Sequence, residues 1–571
     1  MVQTVGIMTT KTWWKEAVVY QIYPRSFQDS DGDGVGDLRG IIKRLDYLQA
    51  LGITAVWLSP VFQSPNDDNG YDISDYCAIL PEFGTLADMD ELSTGLHARR
   101  IKLLMDLVVN HTSDEHPWFT ASRSSRDNPY RDYYIWRPGK AGAEPNNWQS
   151  YFGGSAWQYD EATGEYYLHL FSKKQPDLNW ENPQVRAEVY KIMRWWLDKG
   201  VDGFRLDAIN MLSKMPGLPD APVITPAPYQ SGEEYYIYGP HFLEYLQEMQ
   251  REVLAHYDAF TVAETPLVTP EQAIALTNEA DGPISMVFQF DHLYLDQDPN
   301  SVAPKWSTVP WSVVELKRVL TRWQQALANK GWNSVYLANH DVPRAVSRFG
   351  DDGRYWKESA KLLATLIHTL QGTPYVYQGE EIGMTNVAFA TIADYRDVDA
   401  LNWHRLCLAE EGADEAAVMT QIHRKGRDNA RTPMQWEAGP NAGFTTGTPW
   451  IKVNPNHRQI NVAAQRTDPD SVFHYYQQLI ALRKAHPVIV YGAYDLLLPD
   501  HPAIYAYTRT LGDQRLLVLL NMTAGTPALT LPEDIVFTRA ELLLGNYADS
   551  GSLALQDQPL RPYEARVYRL A

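Results

Sequence analysis

Eight short runs of β-branched and aromatic residues recur along the 571-residue chain, and most are separated by stretches long enough for a helix. They occupy 18–22, 54–58, 103–106, 201–205, 260–263, 286–290, 335–337 and 374–377. Apolar runs alternating with helical segments imply an α/β fold, a parallel sheet covered by helices, and a count of eight closes the sheet into a (β/α)8 TIM barrel. The intervening segments carry helix signals. Asn182 and Pro183 make a capped start, Val185, Val189, Ile192 and Trp196 an apolar stripe, and Gly200 a stop. Ile41, Leu45 and Leu48 share a face that ends at Gly52.

Two segments do not fit that alternation. Roughly seventy residues rich in Tyr, Trp, Gly and Pro follow His111, too many for a simple connection, so an inserted domain covering the cleft is expected there. After the helical pattern that ends near Ala485, His486-Pro487 breaks the periodicity, and alternating runs such as Ile504-Tyr505-Ala506-Tyr507 begin an antiparallel β-domain. The expected layout is a catalytic barrel over 13–111 and 180–487, an inserted domain over 112–179 and a C-terminal β-sandwich over 488–571.

The formal charge of −20 is spread along the chain, which argues against nucleic acid and anionic membranes as partners and leaves small neutral substrates. No obligate protein partner is evident. Residues 1–10 lack a basic region and an apolar stretch, and no apolar run reaches the ~18 residues of a membrane span, so neither a leader nor a span is expected. Cys77 and Cys407 are the only cysteines. Far apart in a long chain, they are expected to be buried thiols in a reducing, cytoplasmic compartment. Aromatic residues reach 12%, which suits a cleft that stacks on sugar rings and equally a well-filled core.

Asp207, Glu264 and Asp341 each close an apolar run: Gly-Phe-Arg-Leu-Asp, Phe-Thr-Val-Ala-Glu and Val-Tyr-Leu-Ala-Asn-His-Asp. A carboxylate at the end of a buried strand is held rigidly with its head in the cleft, and two carboxyls in unlike environments are the minimum for cleaving a glycosidic bond. Arg205, two residues before Asp207 and on the same strand face, supplies a positive charge that favours an ionised Asp207. Glu264 has no basic neighbour in sequence, as suits a proton donor.

The order and spacing of Asp106-Leu107-Val108-Val109-Asn110-His111, the Arg205-to-Asp207 stretch, Glu264 and Asn339-His340-Asp341 resemble the motifs of the α-amylase superfamily, glycoside hydrolase family 13. Gln175-Pro176-Asp177-Leu178-Asn179, the stretch from Asp67 to Asp72 and the stretch from Arg427 to Trp436 are similar to markers of its α-glucosidase and oligo-1,6-glucosidase branch. The resemblance implies a retaining, exo-acting α-glucosidase, with Asp207 as nucleophile, Glu264 as acid/base and Asp341 as the carboxylate holding sugar hydroxyls. It implies that His111 and His340 contact glucose, that Tyr71 lies under the ring, and that Asp68 pairs with Arg427, or with Arg431, to close the pocket. It also makes the stretch from Asp29 to Asp37 a structural Ca2+ loop, with Asp29, Asp31, Asp33, Asp37 and the Val35 carbonyl as ligands. Mg2+ suits the same oxygen donors.

In relatives of this kind the residue after the nucleophile tends to be Val where α-1,6 bonds are preferred and Ala or Thr where α-1,4 bonds or sucrose are accepted. Ala208 therefore implies maltose-like, sucrose or broad specificity, with an oligo-1,6-glucosidase as the alternative. Transglucosylation or sucrose isomerisation is the other enzymatic alternative. Tyr294-Leu295-Asp296-Gln297-Asp298 departs from the Arg-Leu-Asp-Arg-Asp of sucrose isomerases, and Thr265-Pro266 follow Glu264 where those carry an aromatic. A non-enzymatic transporter-ancillary barrel is disfavoured by the intact triad and the lack of a membrane span.

Overall fold

The structure is a computed structural model that describes residues 12–301, 303–410, 414–548 and 559–571. The leader expectation for residues 1–10 and part of the C-terminal domain expectation, 549–558, lie outside the described residues. Eight parallel strands form one sheet: β1 (Val19–Ile22), β2 (Ala55–Leu58), β3 (Lys102–Val108), β4 (Gly203–Asp207), β5 (Phe260–Glu264), β6 (Met286–Phe288), β7 (Ser334–Val335) and β8 (Thr373–Tyr377). Their order is β6-β5-β4-β3-β2-β1-β8-β7, and a parallel bridge between Val287 and Asn333 closes the ring. The eight runs expected from the sequence are thus the eight staves of a (β/α)8 barrel, although the sixth and seventh strands are shorter than their runs.

Strand alternation sorts the side chains. Val19, Trp57, Leu104, Val262, Met286 and Tyr375 fill the barrel interior, whereas Leu103, Met105, Leu107, Phe204 and Leu206 pack outward into the cluster under the helices. The same period of two turns Asp106, Arg205, Asp207 and Glu264 inward at the carboxyl ends of their strands. Parallel register sets Asp106 beside Arg205 and Arg205 beside Val262.

The helix Pro183–Asp198 is capped by the Asn182 side chain, which accepts the Gln184 N–H at 2.9 Å, and buries Val185, Val189, Ile192 and Trp196. Gly200 follows at φ 95°, the left-handed region open to glycine. The face carrying Ile41, Leu45 and Leu48 is divided between two helices, Leu38–Lys43 and Leu45–Leu51, with Arg44 between them.

The excursion after β3 holds a three-stranded antiparallel sheet of Trp136–Arg137, Glu165–Leu168 and Trp157–Asp160, and an antiparallel bridge between His111 and Asp177 pinches its two ends together. Two further features were not expected from the sequence. The segment after β4 packs Met211, Leu218 and Tyr236 against the insert's Trp148 and Leu168, and a long excursion after β8 carries the helices Val398–Glu410 and Glu415–Lys425. The C-terminal domain holds β9 (Ala493–Leu497), β10 (Ile504–Leu511), β11 (Gln514–Asn521), β12 (Ala540–Gly545) and β13 (Ala565–Leu570) in the antiparallel order β9-β10-β11-β13-β12. Among the described residues it is one five-stranded sheet, not the two-sheet sandwich expected. One face lays Tyr505, Tyr507 and Val518 on the barrel, and loop residues Leu529, Ile535 and Leu560 pack on the other.

Cys77 is exposed and Cys407 half-buried, which corrects the expectation of buried thiols. Among the described residues no helix is long and apolar enough to cross a membrane.

Candidate active site

Asp207 and Glu264 are the last residues of β4 and β5, and Arg205 binds both. Its Nη1 donates to Asp207 Oδ1 at 2.5 Å and to Asp106 Oδ1 at 2.8 Å, while its Nη2 lies 2.7 Å from Glu264 Oε1. One buried guanidinium therefore serves three carboxylates, so Glu264, which has no basic neighbour in sequence, has one in space. Register is the reason: residues on neighbouring parallel strands meet across the barrel wall however far apart they are in sequence. Glu264 Oε2 also accepts the Ala208 N–H at 3.0 Å.

Burial pushes the Asp207 carboxyl well above the usual carboxylate range, Arg205 pulls it down, and Glu264 and Asp106 push it up again. The expected lowering by Arg205 is present but outweighed. With one cation among three acids, the charge on Asp207 depends on its two acidic neighbours as well as on Arg205.

Asp341 occupies a different environment. Its Oδ1 accepts from Arg431 Nη2 at 2.9 Å and from Arg427 Nη1 at 3.2 Å, and its Oδ2 lies 3.1 Å from His340 Nε2. Although burial opposes it, these three groups hold its carboxyl well below the usual range, so Asp341 is ionised. About a third of its side chain faces solvent, against a tenth for Asp207.

Tyr71 joins the two halves. Its hydroxyl donates to Asp106 Oδ2 at 3.0 Å, and its ring stacks on His340 at 5.1 Å with an interplanar angle of 4°. His340 also lies over Tyr23, and its Nδ1 is 2.8 Å from Gln21 Nε2. His111 is almost completely buried, with Nε2 3.0 Å from the Tyr71 carbonyl, and burial lowers its pKa to about 4, so it is neutral at neutral pH. Behind it Asp177 receives Asn110 Nδ2 at 3.1 Å and lies 2.7 Å from Lys214 Nζ.

The far wall carries Asp68, whose Oδ1 accepts from Arg427 Nη2 at 3.1 Å and whose Oδ2 accepts from Gln175 Nε2 at 3.2 Å. Arg427 and Arg431 both reach Asp341, but only Arg427 is paired with Asp68. Ala208 sits at φ 41°, in the left-handed region, so the chain turns directly after Asp207. Its side chain packs with Ile135, Trp148 and Met211 and is 3% exposed.

In the acidic loop, Asp29, Asp31 and Asp37 bring carboxylate oxygens within 4.8 Å of one another. Asp33 is not gathered with them; its Oδ1 accepts the Val35 N–H at 2.7 Å. Asp29 receives the N–H groups of Asp31, Gly32 and Gly34 and the Thr445 hydroxyl. Gly34 is at φ 97°, and a Cβ there would meet the Thr448 carbonyl at 1.9 Å, so the loop is folded tightly under the excursion after β8. Three close carboxylates fit a hard, oxygen-preferring cation.

Two site residues were missed from sequence. Asp106 lies inside the motif that ends at His111, and the inward alternation of β3 is the sequence signal for it. Asp397 lies in irregular chain with no periodic signal, and it is wholly buried beside Arg427, Oδ1 to Nη2 2.6 Å.

A closed β/α barrel with carboxylates set on the ends of adjacent strands is the equipment of a glycoside hydrolase. The family model described as the alpha-amylase catalytic domain matches residues 21–492, and the chain belongs to that family. The oligo-1,6-glucosidase of Parageobacillus thermoglucosidasius is 62% identical over 560 residues, covering 98% of this chain and 99% of that protein. Two solved structures are similar over 98% of this chain and 100% of their own: Bacillus licheniformis trehalose-6-phosphate hydrolase, TM-score 0.92 at 48% identity, and isomaltulose synthase from Erwinia rhapontici NX5, TM-score 0.93 at 43% identity.

Proposed function

We propose that the protein is a retaining, exo-acting α-glucosidase that releases terminal glucose from short neutral α-glucosides. The observation that carries this reading is the single Arg205 guanidinium held between Asp207 and Glu264. Two carboxyls bridged by one planar fork are drawn close together, which suits the separation of about 5 to 5.5 Å that retaining enzymes use rather than the wider spacing of an inverting pair. Asp207 attacks the anomeric carbon while Glu264 gives its proton to the glycosidic oxygen, so the leaving sugar departs as a neutral alcohol. Water then attacks the glucosyl ester, Glu264 takes its proton, and Asp207 leaves as carboxylate. Two inversions restore the α-configuration. Asp341, ionised and anchored by Arg427 and Arg431, accepts hydrogen bonds from the glucose hydroxyls.

Exo-action is supported by the Arg427–Asp68 pair, which puts charge and side-chain bulk where a longer chain would have to continue. Linkage is supported from elsewhere than Ala208, whose packed side chain weakens the case for α-1,4 preference. The oligo-1,6-glucosidase relative supports α-1,6 bonds as substrates, within a broad α-glucosidase specificity. The acidic loop is proposed as a Ca2+ site, with Asp29, Asp31 and Asp37 as its nucleus and Mg2+ suiting the same oxygens. A cation there would neutralise crowded carboxylates and take no part in bond cleavage. A cytoplasmic location agrees with the exposed Cys77 thiol.

Incubation with isomaltose, maltose, sucrose and trehalose, with the first-formed anomer followed by NMR, tests the reading. Release of α-glucose, most readily from isomaltose, is expected. First-formed β-glucose, or no glucose from any of the four, would overturn it.

A further inference from the structure

We infer that Asp397, a residue with no surface in the cleft, is a positioning residue that fixes Arg427 and ties it to the closure of the pocket. This rests on the exo-α-glucosidase reading above. Four groups converge on Asp397 Oδ1: Arg427 Nη2 at 2.6 Å, Arg427 Nε at 2.9 Å, the Asp399 N–H at 3.2 Å and Arg431 Nη1 at 3.7 Å. Its Oδ2 is buried without a hydrogen-bond partner. A wholly buried carboxylate is stable only against charge, and the arginines supply it.

The geometry around Arg427 gives that pairing a direction. Asp397 grips the Nε edge and Nη2, which leaves Nη1 for Asp341 at 3.2 Å and a second Nη2 contact for Asp68 at 3.1 Å. Asp341 and Asp68 face the pocket and Asp397 does not, so Asp397 is the counter-ion that orients the Arg427 fork from behind, with one Nη aimed at each sugar-facing acid. Asp397 is itself held, because Asp428 Oδ2 accepts the N–H groups of Arg396 and Asp397 at 2.7 and 3.0 Å.

A closed circuit runs outward from this pair. Asp397 sits at the start of the helix Val398–Glu410, where its side chain accepts the Asp399 N–H as a cap does. One turn on, Asn402 Nδ2 donates to the Phe152 carbonyl of the inserted domain at 3.3 Å, and Leu406 lies against Gly153. The Phe152 ring returns to Arg427, whose guanidinium carbon is 5.2 Å from the ring centroid. Arg427, Asp397, the helix and the insert loop are therefore joined in one ring of contacts. Two glycines at positive φ, Gly153 and Gly154, follow Phe152 and give that loop its sharp turn.

The test is steady-state kinetics of Asp397→Asn and Asp397→Ser, both of which preserve a helix cap while removing the charge. KM for isomaltose should rise about tenfold or more with kcat changed less than about threefold, because binding of the terminal glucose weakens while Asp207 and Glu264 are untouched. In an Arg427→Ala background the same substitutions should add nothing further to KM. Asn402→Ala, which removes only the half-buried amide that joins helix to insert, should raise KM in the same direction and gives a reading even where the Asp397 variants fold poorly. KM unchanged in Asn402→Ala and in the folded Asp397 variants, or full additivity with Arg427→Ala, would overturn the inference. An inactive wild type would instead refute the underlying α-glucosidase reading.

Discussion

The main-chain N–H of Ala208 donates to Glu264 Oε2 at 3.0 Å, so the residue after one carboxylate positions the other. The contact exists because Ala208 leaves the strand at φ 41°, a conformation that turns its N–H toward β5 and its methyl into the apolar cluster below the insert. Ala208 is buried in the cluster of Ile135, Trp148 and Met211, so Ala208→Val overfills this chain's own packing, whatever space relatives with Val leave there, and should destabilise the fold by about 1 to 3 kcal/mol. It should lower kcat for maltose and isomaltose together, while Ala208→Gly retains stability and activity. Melting curves and the two kcat/KM values decide it; a shift in the maltose to isomaltose ratio without loss of stability would mean that the side chain borders the sugar after all.

Glu264→Gln should cripple natural disaccharides far more than activated aryl α-glucosides, because a good leaving group departs without a proton. Azide should restore turnover of the activated substrate by replacing the water that Glu264 otherwise deprotonates. Equal loss on both substrate classes with no azide rescue would remove Glu264 from the acid/base role.

Glu380 is buried at the end of β8, accepts the Tyr377 N–H at 2.7 Å, and has its pKa raised from 4.5 to about 8, mainly by burial. A carboxyl with a raised folded pKa is favoured in its protonated form, so its contribution is complete below about pH 4.5 and is lost as pH rises toward about 8. Glu380→Gln, which is neutral at every pH and still accepts the Tyr377 N–H, should melt near the wild type at pH 5 and above it at pH 8.5. The difference should be on the order of a few kcal/mol. Parallel melting curves across that range would contradict a buried, titrating Glu380.

The barrel was legible because its physics is local. Eight apolar runs of strand length, the Asn182–Pro183 start and the Gly200 stop are decided within a few residues of one another, and so is the inward face that carries Arg205, Asp207 and Glu264. What could not be read depends on register or on irregular chain. Arg205 meets Glu264 only because β4 and β5 pair with Arg205 beside Val262. Asp397 reaches Arg427 from a segment with no periodicity, and Asp33 turns its carboxylate to a main-chain N–H instead of joining Asp29, Asp31 and Asp37. Among the described residues of the C-terminal domain, the loop residues Leu529, Ile535 and Leu560 that cover one face of the sheet carry no strand alternation.

The acidic loop makes the metal proposal discriminating. Chelation should lower the melting temperature and Ca2+ should restore it through preferential binding to the folded chain. Asp31→Asn should abolish that response, whereas Asp33→Asn, outside the close carboxylate group, should preserve it. Melting temperatures that ignore both chelator and added Ca2+ would reject the site.

Catalysis by this site requires that Asp207 form a covalent bond to glucose while Arg205 holds it beside Glu264. The most direct measurement is mass spectrometry of the protein after brief exposure to 5-fluoro-α-glucosyl fluoride, whose glucosyl-enzyme forms faster than it hydrolyses. One fluoroglucosyl adduct per chain is expected, on the peptide containing Asp207, absent from Asp207→Asn and cleared by incubation in water. An adduct on Glu264 or Asp341, or turnover of the fluoride with no adduct and inverted product, would contradict it.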